Sequence, residues 1–454
     1  MGIGSKDLVI DKAFKLEKRI DELQAKEYYS KDPKKLLSLF SKSIKQIAES
    51  IKSIENEDPI KIRRINFLLT VYHYFLDEIE HIEADNVPVE MLPIFNEILK
   101  EYQLKTVLVF RPNPIYNYSY FPITRLIDEI SQKYPEVRVS EAQNDIAVIS
   151  FPSSERTSAL LHCCFAHEIG HHLNESFSIA AQIEPKILEL IDKKLLDKYV
   201  EGWLELFRKH KSVIDGTEVT LDKFILKDHL FSRATEEFAR IIRKWLDEIV
   251  SDIFAIYLFG PAYIFAISEF LLSSQDLEKY YETHPPPFIR IKNLVKLFDE
   301  LGFYKDLEVY ADVIKRIDFY KEISKKTFES ENETMQDIKN TILERCINAL
   351  FDLAKSLVLQ QVNLLKRHFD FEDINKAVIA FRNLIPGNEI LNKNAVSKPI
   401  DAISILNAAW IVRINFIDEL YSMLSKTEKS TVRNIIDELT LKALDLQEFH
   451  RRMV

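Results

Sequence analysis

Two histidines four residues apart, with a glutamate beside the first, are the residues of this chain best suited to chemistry. His167, Glu168 and His171 form the pattern H-E-x-x-H. Four residues advance an α-helix by about 6 Å and slightly more than one turn, so both imidazoles project from one face and can bind one metal ion. Neutral imidazole suits Zn²⁺, and Glu168 lies close enough to take a proton from water at the metal without binding it. The pattern predicts a zinc site with Glu168 as general base.

The third metal ligand has to come from elsewhere in the chain. An extended pattern with a third histidine would need glycine at 174 and histidine at 177, where this chain has Asn174 and Phe177. That form of the site is excluded. Glu175 stays a weaker candidate for the third ligand.

A second segment offers better candidates. Glu248 and Asp252 lie four residues apart in the apolar helical stretch KWLDEIVSDIFAIYLFGPAY. Buried carboxylates without partners would each cost several kcal/mol, so we expect a cation or strong hydrogen-bond donors beside them. A metal ion would suit Glu248, and the ring N–H of a metal-binding histidine would suit Asp252. The alternative is that both carboxylates bond arginine or backbone groups in an ordinary core.

These two stretches together resemble those of the gluzincin metallopeptidases. HEIGH is followed by DEIVSDIFA, and DEIVSD is similar to the thermolysin-type N-E-x-x-S-D segment. The resemblance implies that Glu248 is the third zinc ligand and that Asp252 supports the site from behind the ligands. Two departures are clear. The gap between His171 and Glu248 is much longer than in that type, which implies inserted helices, and Asp247 replaces the asparagine.

A third stretch, THPPPFIRI at 283–291, resembles an element of the CAAX-protease and heat-shock-protease family of membrane metallopeptidases. Those proteins order their motifs as HExxH, ExxxD and then HP, as this chain does. The resemblance implies a catalytic role for His284, which could donate a hydrogen bond to a developing oxyanion or anchor the wall of the site. Its alternative role is that of a histidine before a proline turn at a helix start. The transmembrane helices typical of that family are not found in the sequence.

Two more histidines and two tyrosines near these motifs are predicted to lie outside the metal ligand set. His162 and His172 lack the helical phase to join both ligands, so they are predicted to be structural or solvent-facing. Tyr257 and Tyr263 are predicted to pack in the core, with polarisation of a substrate carbonyl as the alternative role.

The elements around the motifs are mostly helical by the spacing of their apolar residues. Strands are predicted at 105–110, 137–140 and 146–151, with a helix at 122–133 and the H-E-x-x-H helix at about 155–174. The region 185–273 is predicted to be helical with a loop near 215–216, and the region from 288 to the end is predicted to be helical throughout, with breaks near 332, 386–387 and 398–399. The apolar run 249–272 is interrupted by Gly260-Pro261 and predicts two buried helices rather than a membrane span.

Composition limits the function classes. The chain has 454 residues, a formal net charge of −10 and only 8 glycines, which gives no reason to expect a nucleic-acid partner or a phosphate-binding glycine loop. The three cysteines, two of them adjacent, cannot form a disulfide framework and predict buried, reduced thiols. With no secretory signal visible, we expect a cytoplasmic protein.

The sequence as a whole predicts a mainly α protein with a small β-sheet, in which a zincin-like core carries helical extensions. The predicted divisions are a helical region at 1–102, a metallopeptidase core at 103–300 with a helical insertion at about 180–240, and a helical region at 301–454. The predicted function is hydrolysis of peptide or protein substrates by zinc-activated water. The alternatives are a non-catalytic helical interaction or regulatory protein that retains a zinc site, and an amidase or deacylase of non-protein substrates. The helical extensions could bind a protein partner.

Overall fold

A computed structural model defines the fold. It describes residues 5–52, 58–80, 82, 87–133, 145–209, 223–274, 279–325, 334–362, 369–391, 397–424 and 428–453. Within these ranges the chain is predominantly helical, with a three-stranded mixed sheet and a pair of short strands. The predicted class, mainly α with a small β-sheet, is confirmed. The strand predicted at 137–140, the loop near 215–216 and the break near 332 lie outside the described residues.

Helices make up most of the described chain, and the strands fall into two groups far apart in sequence. The helices are α1 (Ser5–Gln24), α2 (Asp32–Lys52), α3 (Pro59–Glu80), α4 (Leu92–Glu101), α5 (Ile123–Lys133), α6 (Phe165–Phe177), α7 (Ile179–Ile183), α8 (Ile187–Leu190), α9 (Lys193–Lys209), α10 (Lys223–Phe259), α11 (Pro261–Ser274), α12 (Pro287–Leu301), α13 (Phe303–Leu307), α14 (Ala311–Ser324), α15 (Met335–Gln361), α16 (Phe371–Arg382), α17 (Ala402–Asn415), α18 (Ile417–Met423) and α19 (Lys429–Met453). The strands are β1 (Thr106–Asn113), β2 (Ser119–Pro122), β3 (Asp145–Pro152), β4 (Glu389–Leu391) and β5 (Ser397–Pro399).

The chain divides into two compact units. The first contains residues 1–168 and 437–454, and the second contains residues 169–436. The division falls within the continuous helix α6, after Glu168. The three-part organisation expected from the sequence stays a prediction.

The sheet of the first unit has the strand order β1-β3-β2. β1 runs parallel to β3, and β2 pairs with β3 in the antiparallel direction. The strands predicted at 105–110 and 146–151 are thus confirmed, whereas β2 was missed because SYFP is too short for a clear alternation. Phe110 of β1 and Phe151 of β3 pack against Phe165, the first residue of α6, with ring centroids 4.9 and 5.6 Å away. The sheet therefore anchors the start of the helix that carries the H-E-x-x-H pattern.

The predicted start of that helix was wrong. Instead of beginning near 155, α6 begins at Phe165, after short 3-10 turns at Ser153–Glu155 and Leu161–Cys164. A contact distant in sequence explains the difference, because the backbone N–H of Leu160 donates to the Asp437 carboxylate at 3.0 Å. That bond satisfies a donor without a helical turn.

The second unit is built around the long helix α10 and the helix α11 that follows it. Gly260 separates them with a φ of +60°, a conformation that glycine adopts without steric cost. The buried side chain of Asn407 bonds both helix ends: it donates to the Phe259 carbonyl at 3.0 Å and accepts from the Ala262 N–H at 2.8 Å. The predicted pair of buried helices is confirmed. Among the described helices, none combines the length and the apolar character needed to cross a membrane.

The region after 288 was predicted to be helical with breaks near 386–387 and 398–399, and strands, which the sequence did not predict, follow the first break and include the second. β4 and β5 form an antiparallel pair between α16 and α17. Pro386 and Pro399 lack the backbone N–H that a helix needs, and Gly387 favours a break, so the chain satisfies its backbone by strand pairing instead. The Ile400 N–H extends that pairing by donating to the Asn388 carbonyl at 2.9 Å.

Candidate metal site

Close packing of two helices creates the candidate site. Gly170 of α6 lies directly against the backbone of Ser251 in α10. A Cβ at position 170 would stand 2.5 Å from the Ser251 carbonyl oxygen and 2.8 Å from its Cα, so only glycine allows this approach. Four residues further along α6, the Asn174 amide donates to the Asp247 carboxylate at 3.1 Å. These contacts set α6 beside the part of α10 that carries Glu248.

Three potential ligands meet there. One ligand atom each from His167, His171 and Glu248 all lie within 4.8 Å of one another. The His171 Nε2 atom is 3.4 Å from Glu248 Oε1, longer than the usual N–H···O hydrogen bond of about 2.9 Å. Two neighbouring ligands at zinc bond lengths in a tetrahedral arrangement are separated by about 3.3 Å. Two imidazoles and one carboxylate also match the donor set of catalytic zinc sites, so the residues present fit this metal.

A buried arginine connects the two carboxylates of α10. Arg290 of α12 donates to both oxygens of Asp252, from Nε at 2.8 Å and from Nη2 at 2.6 Å. Its Nη1 atom is also 3.5 Å from Glu248 Oε2. Burial alone would lower the pKa of Arg290, but the carboxylates of Asp252 and Glu248 outweigh it and raise that pKa well above its ordinary value. The guanidinium therefore stays charged, holds Asp252 by two hydrogen bonds and forms a longer ion pair with Glu248.

Asp252 also accepts a hydrogen bond from the Tyr263 hydroxyl, which comes from α11. The sequence left open the alternative that Asp252 bonds an arginine, and its contact with Arg290 is of that kind. The interpretation of Asp252 as acceptor for a metal-binding imidazole stays a prediction. Tyr257, the other tyrosine considered from the sequence, is buried, and burial raises its pKa to about 12.

The THPPP element lies beside the ligand group. His284 Nε2 is 3.5 Å from Glu248 Oε1, and about half of the His284 side chain is exposed. The segment before it is attached to α10, because the Trp245 indole N–H donates to the Tyr281 carbonyl at 2.9 Å. The structure thus brings the half-exposed ring of His284 to the edge of the ligand group.

Glu168 is buried and follows His167 in α6, whereas Glu175 is exposed on the same helix. Within the described residues, the group of possible ligands contains Glu248 and not Glu175. His162 is fully buried before α6: its ring stacks on Phe165, and its Nδ1 is 3.2 Å from the Tyr118 hydroxyl. Its structural interpretation agrees with this position.

Two contributors were missed by the sequence reasoning. Arg290 belongs to the stretch THPPPFIRI, but nothing in the spacing indicated that it would bind Asp252. Gly170 lies within HEIGH, and the metal-binding pattern itself gives that position no role. A glycine inside a helix costs about 1 kcal/mol relative to alanine and so signals a packing requirement. Asp247, whose pKa burial raises, replaces the expected asparagine and accepts from Asn174.

Comparisons with known proteins give no relative for this chain: no protein-family model, no curated protein and no solved structure matches it. The function has to be argued from the residues of the site.

Proposed function

We propose that the protein is a zinc-dependent metallopeptidase. The observation that carries the proposal is the meeting of His167 and His171 with Glu248, a residue from a different and distant helix. A pair of histidines on one helix follows from local spacing, but a carboxylate reaches them only through tertiary packing. The buried guanidinium of Arg290 lies 3.5 Å from Glu248 Oε2, and this ion pair supports a site in which a neighbouring charge orients the carboxylate ligand.

The chain supplies the groups that water-mediated hydrolysis requires. When bound, zinc supplies a positive charge that lowers the pKa of water at its open position and polarises a substrate carbonyl. His167, His171 and Glu248 would hold the ion. Glu168 would take the proton from the water and deliver it to the leaving amine. His284 would donate a hydrogen bond to the carbonyl oxygen as negative charge develops there.

Peptides are the preferred substrate class because three separate metallopeptidase-like elements come together. HEIGH supplies two ligands, DEIVSD supplies Glu248, and the THPPP element places His284 Nε2 3.5 Å from that carboxylate. A chance H-E-x-x-H pattern would not bring the other two elements to it. An amidase or deacylase acting on small substrates would use the same groups and is distinguished by substrate alone.

Metal content is the first test. Protein purified without added metal should carry about one zinc per chain by elemental analysis. The variants His167→Ala and Glu248→Ala should lose that zinc, whereas Glu175→Ala, which removes an exposed carboxylate of the same helix as His167, should retain it. Unchanged zinc in both of the first two variants would refute the ligand assignment.

Hydrolysis is the second test. The wild type should cleave fluorescein-labelled casein, lose the activity on chelation and regain it with zinc. Glu168→Gln should keep the zinc but lose roughly 10²- to 10⁴-fold in rate, as expected for removal of a general base. Equal rates for Glu168→Gln and wild type would remove Glu168 from the mechanism.

A non-catalytic interaction protein is the second candidate, and one observation favours it. Ile60, Phe67 and Tyr74 recur every seven residues on α3 and are all more than half exposed, so they form an apolar stripe suited to a partner helix. In that case the zinc would stabilise the fold, and wild type and Glu168→Gln would both retain zinc and both fail to cleave casein.

A further inference from the structure

A groove in the second unit lies away from the ligand group and takes no part in the proposed chemistry. It has a volume of about 610 Å³ and is lined by residues of α9, residues of α10 and one residue of the segment before α12. Its apolar wall contains Trp203, whose side chain is 39% exposed, together with Leu230 and Ala234. Its charged wall contains Arg240 and Glu282, which form an ion pair at 2.7 Å.

The groove and the ligand group lie along the same side of α10. Arg233, Arg240 and Lys244 are exposed along this helix, and in helical phase they fall within one quarter-turn of Glu248. A rise of 1.5 Å per residue puts Arg240 about 12 Å and Ala234 about 21 Å from Glu248 along the axis. An exposed stripe of α10 therefore connects the groove to the metal ligands.

One segment borders both places. The backbone of Tyr281 is attached to α10 by the Trp245 indole N–H, and Glu282 is attached by Arg240. Two residues later, His284 reaches the Glu248 carboxylate. The segment 281–284 thus forms one continuous edge that runs from the groove to the site of hydrolysis.

We propose that this groove binds the substrate polypeptide at a distance from the bond that is cleaved. The proposal rests on the proposed function and specifies its substrate class as extended polypeptide. At about 3.3 Å per extended residue, Ala234 lies roughly six residues and Arg240 roughly four residues from the scissile bond. A large apolar side chain of the substrate packs against Trp203 and Leu230. The remaining donors of Arg240 and acceptors of Glu282 bond the substrate backbone, which carries both kinds of group.

Binding without turnover tests the groove independently of catalysis. Fluorescein-labelled casein, an unfolded polypeptide, is titrated with the Glu168→Gln protein, and its anisotropy is measured. Adding Trp203→Ala should weaken binding at least about fivefold, since a tryptophan that becomes buried by a partner contributes much of the binding free energy. Adding Phe319→Ala, which removes another half-exposed aromatic side chain of the same unit but outside the groove, should leave the affinity unchanged. Equal affinity for the Trp203→Ala and Phe319→Ala proteins would overturn the proposal.

Cleavage sites give the second readout. Mass spectrometry of casein fragments from the wild type should show large apolar residues enriched five to seven positions from the cut, on one side only. Trp203→Ala should lose that enrichment, and Phe319→Ala should keep it. Cuts without any distant preference would overturn the groove proposal while leaving the peptidase intact. Absence of cuts, with casein binding that still depends on Trp203, would overturn the peptidase and retain the groove. A change in self-association upon Trp203→Ala, with casein binding unaltered, would assign the groove to a second copy of the chain and also overturn the proposal.

Discussion

Replacing Gly170 by alanine tests whether close helix packing creates the metal site. The added methyl group would stand 2.5 Å from the Ser251 carbonyl oxygen, whereas ordinary contact begins at 3.4 Å, so α6 and α10 have to separate by about 0.9 Å. Because the contacted atoms of Ser251 belong to the backbone of a helix, they cannot rotate away as a side chain could. If that shift reaches the ligands, the 3.4 Å between His171 Nε2 and Glu248 Oε1 grows to roughly 4.3 Å, well beyond the ±0.2 Å tolerance of metal bonds.

Two quantities should change in the Gly170→Ala protein. Overpacking should cost about 1–3 kcal/mol of unfolding free energy, partly offset by about 1 kcal/mol of helix propensity. Zinc affinity should fall about 10- to 100-fold, a loss comparable to that caused by removing an outer partner of a metal ligand. Urea unfolding of the metal-free protein measures the first quantity, and competition with a chromophoric chelator measures the second.

Gly202 offers a matched control for this substitution. It also lies within a helix, α9, but a Cβ there would meet the flexible side chain of Met335 at 2.7 Å, which can move aside. Gly202→Ala should therefore keep wild-type zinc affinity and lose little or no stability. Wild-type zinc affinity in Gly170→Ala would show that the glycine contact does not position the ligands, and the packing argument would fail.

Two further substitutions test buried polar groups. Arg290→Met should cost about 3–5 kcal/mol of unfolding free energy, because it leaves buried carboxylates such as Asp252 uncompensated. Arg345→Met, which removes an exposed arginine paired with Asp192, should cost less than about 1 kcal/mol in the same urea titration, and similar losses in both variants would contradict the buried network. Burial lowers the pKa of His162 to about 3, so this residue stays neutral in the fold while the unfolded chain takes up a proton near pH 6.5. The contribution of His162 to the free energy of unfolding is complete above pH 6.5 and decreases by up to about 1.4 kcal/mol per pH unit toward pH 3. Between pH 7 and pH 5 the wild type should therefore lose about 2 kcal/mol more unfolding free energy than His162→Phe. Parallel pH profiles of the two proteins would refute the lowered pKa.

Local spacing was sufficient for the part of the site that lies on one helix. The four-residue interval between His167 and His171 determines a common face whenever the segment is helical, so that pair could be predicted. The break at Gly260-Pro261 could be predicted for the same reason, since both residues act on their own backbone. The start of α6 could not be predicted, because the bond from Leu160 to Asp437 joins residues that are far apart in sequence.

The spacing of residues in the sequence could not predict which groups bind Glu248 and Asp252. The sequence indicated that Glu248 and Asp252 needed compensation, because burial of a carboxylate is costly wherever the chain folds. It favoured a metal ion for Glu248 and the N–H of a metal-binding imidazole for Asp252, and it left arginine or backbone groups as the alternative for both. The structure gives Asp252 two hydrogen bonds from Arg290 and places Glu248 beside His171. Arg290 reaches Asp252 because α12 packs against α10. That packing joins distant segments, so the local sequence pattern cannot predict it.

Charge balance connects this division of partners with the proposed metal. Within the described residues, the buried charged side chains around the ligand group are those of Glu168, Glu248, Asp252 and Arg290. Their formal charges sum to −2 when the imidazoles are neutral. One divalent cation would cancel that charge. Protonation of both imidazoles would also cancel it, but it would set two positive rings within 4.8 Å of each other in a largely buried place, where like charges repel strongly. A divalent cation between His167, His171 and Glu248 would cancel this charge at lower electrostatic cost than two charged rings, which supports the proposed metal site.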